Sequence, residues 1–408
     1  MIKLFSVAYL FTLNCVQSLP ALPNYDIWGD LNSGTTDGRR KGICLNTYEC
    51  RIQGGKSYGS CAFGFGVCCV FTASCNKEVF NNITYFVNPD FPSLSRDMKK
   101  CTLKVKKIDP EISQFRLDFL HFHLGQPNRR TGVCDDDIFV MSGGNTRELR
   151  LCGLNSGQHV YFDVENVKGP VSISMKLKKR SVSRLWEVRV TQIPFSQRAP
   201  SGCLQYHTGK TGVLQTMNFA ENGRHLANQD YMICMRQEKG MCSIAYEPCD
   251  ENSFKIGAGN GGSNNGSTGT GGGVGSMGGT MGSPGMPSIM DTMQQIMSGM
   301  QPGMNPEMVE EFGSGDGSVE SRSDRCSDRI IMPCDSEDVI MPGSSGPAMC
   351  DLVHCGTSFC PDGKPTCRVE SSVTPFVIGV QFGPGGRDES PDDNLGMCLR
   401  FEQQPCAV

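Results

Sequence analysis

The chain has 408 residues, 38% of them apolar and 20% charged, and carries a formal net charge of −4. That is length for two or three domains, and the balance excludes a generally basic nucleic-acid binder and a chain disordered throughout. The 22 cysteines are a density rare in a reducing cytosol and point to an oxidising, extracellular setting.

At the start, Lys3 precedes the apolar run Leu4-Phe5-Ser6-Val7-Ala8-Tyr9-Leu10-Phe11, and Val16-Gln17-Ser18 offers a small residue for cleavage. This pattern predicts a secretory signal peptide over 1–18, with a mature start near Leu19. The run is shorter than the roughly 20 apolar residues a bilayer crossing needs. No later run is long enough either, and Gln404-Pro405-Cys406-Ala407-Val408 lacks the tail of a lipid-anchor signal. The expectation is a secreted, extracellular protein without a membrane span.

Residues 19–43 are polar and read as a flexible leader. Within them Arg39-Arg40-Lys41 is a solvated charge cluster or a processing site for a basic-specific protease. Residues 44–69 hold Cys44, Cys50, Cys61, Cys68 and Cys69 among turn-forming glycines. So short a segment has no room for a core, so disulfides must hold it as a small knot. It contains no C-x2-C pair, so zinc is not expected.

From 75 to 193 the text alternates. Phe115, Leu117 and Phe119 interleave with Arg116 and Asp118; Val160, Phe162 and Val164 with Tyr161 and Asp163; Val171, Ile173, Met175 and Leu177 with Ser172, Ser174 and Lys176; Trp186, Val188 and Val190 with Glu187 and Arg189. Period two with intervening turns such as Ser142-Gly143-Gly144-Asn145 predicts an antiparallel sandwich. Strand-like text continues over 203–256. Residues 257–288 then contain 14 glycines and no core-forming pattern. Beyond them Met290, Met293, Met297 and Met300 sit at helical spacing, as an adaptable apolar segment or as soft ligands for copper. Strand text resumes with Ile330-Ile331-Met332, Phe376-Val377-Ile378 and Leu399-Arg400-Phe401. Residues 203–408 therefore read as one domain interrupted by a Gly/Met-rich low-complexity loop over 257–321, an insertion whose closure cost grows slowly with length.

No catalytic constellation emerges. The six histidines lack a protease-like context, and neither Gly-Asp-Ser-Gly nor H-E-x-x-H occurs. His121 and His123 lie two apart, on one face of a strand. That is a polar strand end or half a metal site, and no third ligand stands nearby in sequence. No enzyme, metal centre or cofactor is expected. Asn82-Ile83-Thr84 and Asn265-Gly266-Ser267 fit the glycosylation pattern.

Cys75, Cys101, Phe115-Arg116-Leu117-Asp118-Phe119, Cys134-Asp135-Asp136-Asp137-Ile138-Phe139-Val140 and Cys152-Gly153 together resemble a CUB domain over 75–193. The resemblance implies an all-β jelly-roll sandwich with disulfides Cys75–Cys101 and Cys134–Cys152. Gly157-Gln158-His159-Val160-Tyr161-Phe162 and Ala199-Pro200-Ser201-Gly202-Cys203-Leu204 extend it. With them the chain is similar to secreted arthropod CUB proteins that carry an N-terminal cysteine knot, itself clip-like, and two CUB-like domains. CUB domains often use a calcium site made of a Glu and two Asp. Carried over, Asp137 matches one Asp, but Gly125 stands at the Glu position and Lys178-Lys179 at the last. Asp135 and Asp136 lie beside Asp137, but an exposed acidic turn is the commoner reading of such a run, and the domain is expected not to need calcium.

Losing Cys15 with the leader leaves 21 cysteines, an odd number. Related chains tend to carry a cysteine where Phe195 stands here, which makes Cys69 the candidate unpaired residue. Cys44, Cys50, Cys61, Cys68 and the cysteines of 203–406 stay in unassigned pairs. An orphan thiol implies a disulfide-linked dimer, a bond to a partner, or a buried inert group. The functional expectation is a non-catalytic adaptor that binds extracellular proteins through CUB surfaces. The alternatives are a structural matrix or cuticle component and a regulator of clip-type protease cascades.

Overall fold

The computed structural model describes residues 39–178, 182–220, 223–257, 326–333, 353–360, 367–385 and 391–406, with the backbone of 14–18. The chain divides into two compact units, Met1–Tyr206 with Gln215–Leu226, and His207–Leu214 with Ala227–Val408.

The first unit begins with β1 (Asn14–Ser18) beside β2 (Arg39–Leu45), then α1 (Thr47–Ile52), β3 (Lys56–Cys61) and β4 (Gly66–Val70), in sheet order β1-β2-β4-β3. β1 lies inside the stretch read as a cleavable leader; without it β2 would be an edge strand. The rest of that stretch is outside the described residues. The flexible reading of 19–43 is corrected at its end, because Arg39–Leu45 is a strand whose Ile43 and Cys44 pair with Cys69 and Cys68.

The knot is closed by Cys44–Cys61 and Cys50–Cys69. Asn46 caps α1 by accepting the Glu49 amide. α1 turns Cys50 inward, where it is 1% exposed against Cys69 at 0% and Phe71. A side chain at Gly55 would collide with the Cys69 sulfur and Phe71, so glycine is required there.

The sandwich that follows comprises β5 (Thr72–Ala73), β6 (Lys77–Val79), β7 (Ile83–Val87), β8 (Lys100–Val105), β9 (Ile112–His123), β10 (Asp137–Ser142), β11 (Leu149–Leu151), β12 (His159–Asp163), β13 (Val171–Leu177) and β14 (Leu185–Pro194). Two sheets form, β11-β10-β13-β8-β6 and β12-β9-β14-β7-β5. The predicted alternation places Phe115, Leu117, Phe119, Val160, Ile173, Met175, Trp186 and Val188 at 0% exposure between them. Phe119, Phe122 and Phe139 meet with ring centroids 4.7 to 5.8 Å apart. The sandwich is antiparallel except at one edge, where β5 runs parallel to β7 and β6 parallel to β8. These two short strands belong to different sheets, and the chain crosses between them at Cys75.

Residues 215–226 fold with the first unit, not with the rest of 203–408 as expected. Asn218 holds them there: its amide N–H donates to Asn155 Oδ1 at 2.8 Å, and its own Oδ1 accepts from the Leu154 N–H at 2.7 Å.

After β15 (Cys203–His207), the second unit is also β-built, from β16 (Thr211–Gln215), β17 (Gln229–Met235), β18 (Met241–Pro248), β19 (Phe254–Lys255), β20 (Arg329–Ile331), β21 (Val353–His354), β22 (Val369–Ser371), β23 (Val377–Phe382) and β24 (Gly396–Pro405). One sheet contains the run β17-β23-β20-β21 and another β16-β24-β18-β22. Cys242–Cys406 and Cys249–Cys398 tie β18 to β24 across sequence separations of 164 and 149 residues. These bonds lock together the strands on either side of the long insertion, where a cross-link restricts the unfolded chain most. Cys326–Cys355 and Cys360–Cys367 are further bonds of this unit. The Gly/Met-rich loop beyond Gly257, with the methionines at helical spacing, and Asn265 lie outside the described residues.

Candidate functional site

The edge at which the resemblance places calcium is occupied by an arginine. β10 begins with Asp137 and β14 is preceded by Arg184, and both side chains are fully buried. Arg184 Nε donates to Asp137 Oδ2 at 2.7 Å and Nη2 to Oδ1 at 2.8 Å, a bidentate fork. Its Nη1 donates to the carbonyls of Arg96 and Val182, each at 2.9 Å. Gly125, standing where a Glu would be, donates its N–H to Asp137 Oδ2 at 2.9 Å. A Cβ there would come within 3.0 Å of that oxygen. Lys178 turns its Nζ onto the Asp135 carbonyl at 2.7 Å, and Lys179 is outside the described residues. Asp135 is exposed and accepts from Asn128. The Asp137 carboxylate is thus engaged by one guanidinium and by the backbone amides of Gly125 and Lys178. An always-charged side chain supplies at this edge the positive charge that a bound cation supplies elsewhere.

The structure joins Cys75 to Cys101 and Cys134 to Cys152. It contradicts the assignment of Cys69 as the unpaired cysteine, since Cys69 is bonded to Cys50. The physical reason is the two-residue period of β4. Adjacent Cys68 and Cys69 point to opposite faces, so Cys69 meets α1 while Cys68 faces away. Cys68, Cys203 and Cys234 are disulfide-bonded as well. No free cysteine stands among the described residues. The disulfide-linked dimer loses Cys69 as its basis.

Within the basic run Arg40 turns inward, while Lys41 stays exposed. Arg40 is 9% exposed, and its Nε donates to Glu187 Oε1 at 2.7 Å. Its guanidinium lies over the rings of Tyr85 and Phe91, 5.1 and 5.5 Å from their centroids. The Lys41 N–H donates to Tyr85 Oη at 2.6 Å. Together these contacts fasten the knot to the outer face of β7 and β14. Burial of this kind contradicts the solvated reading of the run at Arg40.

Farther along that face, Asp118 accepts from Arg116 at 2.8 Å and Arg189 at 3.1 Å, and Arg116 also donates to Tyr161 Oη at 2.8 Å. Burial pushes the Asp118 carboxyl up, and the two guanidiniums outweigh it and hold the group below its usual range. His121 and His123 do not converge with a third ligand: a register shift separates them from the regular ladder, and His121 Nε2 stands 3.8 Å from Glu187. No group of three metal-ligating side chains occurs among the described residues. Asn82 is half-buried, with Thr84 of its sequon only 1% exposed.

His159 accepts the Tyr206 amide N–H at 3.1 Å. Burial, and then the Arg116 charge, pull its pKa down to about 4. The folded pKa lies below the unfolded value near 6.5, so the stabilisation is whole above about pH 6.5 and is lost as pH falls towards 4. Melting curves should show the wild type losing more stability over that window than His159→Asn. Equal slopes for the two proteins would remove His159 from the acid response.

Apolar groups are exposed at two places on the knot: Tyr48 and Ile52 of α1, at 74% and 63%, and the tip between β3 and β4. At the β3–β4 tip Phe63 is 105% and Phe65 89% exposed. Ala62 and Phe63 hold positive φ of 49° and 56°, a conformation that side chains disfavour. In the second unit, a cavity of about 360 Å³ is lined by Gly212, Glu247, Arg368, Arg400, Phe401 and Glu402 among others. Arg368 bridges Glu247 at 2.9 Å and Glu402 at 3.2 Å across it. Both acids there are thus paired with Arg368. Among the described residues no helix is long and apolar enough to cross a membrane.

Sequence reasoning missed Arg184, the Arg40–Glu187 pair and the aromatic tip. The first two carry no local signal, because their partners are 47 and 147 residues away. Consecutive Phe63-Gly64-Phe65 was a visible signal that the knot's small size made ambiguous.

Solved structures similar to the chain include the CUB1-EGF-CUB2 domains of rat MASP-1, at 12% identity, covering 81% of this chain and 99% of that one with a TM-score of 0.25. The CUB1-EGF-CUB2 domain of human MASP-1/3 matches at 12% identity over 79% of this chain and 100% of that one, TM-score 0.24. The full extracellular region of zebrafish Gpr126/Adgrg6 matches at 15% identity over 46% of this chain and 22% of that one, TM-score 0.25. No curated protein sequence matches. The family model of the animal CUB domain matches residues 200–404, half of the chain, and the chain belongs to the animal CUB domain family.

Proposed function

We propose that this is a secreted, non-catalytic adaptor that binds extracellular proteins, with its clip-like knot as the principal contact. The observation that carries this reading is the tip of that knot. Folding gains nothing from Phe63 and Phe65, which are exposed at 105% and 89% on a backbone held in the left-handed region at Phe63. Large aromatic side chains presented on a rigid support are the usual anchors of protein interfaces. The Cys44–Cys61 bond supplies the rigidity, since it closes the hairpin at the residue preceding the tip.

The non-catalytic part of the reading is supported by the commitments of the buried titratable groups. Asp137 is neutralised by Arg184, Asp118 by Arg116 and Arg189, and the His159 ring is held by the Tyr206 amide. None of the three is left poised for proton transfer. A structural matrix component could be cross-linked through an orphan cysteine, and Cys69, the candidate for that role, is bonded to Cys50.

The test is Phe63→Ser with Phe65→Ser in the full secreted chain. Cross-linking capture from extracellular fluid with the wild type defines the bound proteins. The double variant should lose at least about tenfold in affinity for them, given hot-spot costs of about 2 kcal/mol or more, at unchanged melting temperature. Retention of every partner at wild-type affinity would reject the tip as the contact.

A further inference from the structure

The outer face of the sheet β11-β10-β13-β8-β6 carries three exposed lysines on β8 and β13. Lys100 of β8 and Lys176 of β13 are direct cross-strand partners, and both are exposed. Like charges placed directly opposite one another destabilise a sheet. Two residues along, Thr102 faces Ser174, with their hydroxyl oxygens 2.9 Å apart, and Ser172 Oγ lies 3.4 Å from Ser174 Oγ. Lys104, again exposed, is the partner of Ser172. The face is therefore a row of hydroxyls with a lysine pair at one end and a lysine at the other. Lys100 and Lys104 lie four residues apart, about 13 Å at the rise of a strand.

Among the carboxylates at the margins, Glu78 is held by Lys106 at 2.5 Å, with the charge of its register neighbour Lys104 adding to the attraction, and Glu148 is held by Arg150 at 2.9 Å. Lys100, Lys104 and Lys176 make no ion pair among the described residues. The chain as a whole carries net charge −4, so a basic face is not a by-product of composition.

We propose that this face binds a sulfated polysaccharide. The chemistry selects that class in three ways. The cations are spread along a strand and do not converge, which suits charges strung along a polymer better than a single phosphate. The floor between them is made of hydroxyls, which exchange hydrogen bonds with sugar hydroxyls, where a bilayer-inserting surface presents apolar side chains. An extended, flat polyanion also relieves the Lys100–Lys176 repulsion along its length, with release of its counterions. The inference stands apart from the aromatic tip and does not depend on it.

The experiment uses the full-length protein and heparin as the probe, by surface plasmon resonance over a range of salt concentrations. The wild type should bind with affinity that falls as salt rises. Lys100→Ser, Lys104→Ser and Lys176→Ser combined should weaken binding by about tenfold or more and flatten the salt dependence. A charge-matched control, Lys168→Ser with Lys210→Ser and Lys239→Ser, should keep wild-type affinity. Equal loss in the control would overturn the site in favour of diffuse charge. No binding by the wild type, or binding only to phosphatidylserine vesicles, would overturn the ligand class. All six lysines are exposed, so neither variant threatens the fold.

Discussion

Asp137→Ala should lower the stability of the first sandwich by about 3–5 kcal/mol, and calcium should restore none of it. The cost arises because Arg184 stays behind. Its guanidinium is fully buried, and losing Asp137 leaves a charge without the bidentate partner it now has at 2.7 and 2.8 Å. The Gly125 N–H, which donates to Asp137, is stranded as well. Trp186, buried in this sandwich two residues after Arg184, reports its unfolding in urea by fluorescence. The double variant Asp137→Leu with Arg184→Met should lie closer to the wild type than Asp137→Ala does, because removing both charges removes the uncompensated one. A loss below about 1 kcal/mol in Asp137→Ala would contradict the account, as would a calcium-induced rise in the wild-type melting temperature. The same result bears on function. A guanidinium is never lost to a chelator or to low extracellular calcium, so this edge of the domain should hold its shape in both conditions.

Glu187→Ala should cost about 3 kcal/mol and loosen the knot from the sandwich. Arg40 and Glu187 are 10% and 5% exposed at their side chains, and the pair spans 147 residues. Without the carboxylate, Arg40 keeps its place over Tyr85 and Phe91 only at the expense of a buried charge without a counter-ion. Strand β2 should then open more often, which exposes the bonds after Arg40 and Lys41. Limited trypsin digestion should cut Glu187→Ala there faster than the wild type, with cleavage mapped by mass spectrometry. Equal cleavage of both proteins would mean that the basic run is accessible in the native fold and serves as a processing site after all.

Local sequence information reaches a limit at identifiable residues. The alternation of Phe115, Leu117 and Phe119 with Arg116 and Asp118 named both faces of β9 before any fold was known, because a strand's two-residue period is local. The same rule held for β12, β13 and β14. It failed at Leu120 and His121, where β9 shifts register against β14 between Glu187 and Val188. A bulge depends on the partner strand and leaves no mark on periodicity.

By itself, then, the sequence determined an all-β chain with a cysteine-stapled N-terminal segment, since alternation, turns and cysteine density are properties of neighbouring residues. Tertiary structure alone decided who meets whom. Cys69 found Cys50 because α1 crosses β4 on that face, and the count of cysteines carried no such information. Arg184 took the charge-balancing role at Asp137 because β13 and β14 return the chain to the start of β10, 47 residues on. Lys100 and Lys176 became neighbours through the register of β8 and β13. Charge pairing acts over a few ångströms in space and is indifferent to separation along the chain, which is why the sites were legible only once the strands were in place.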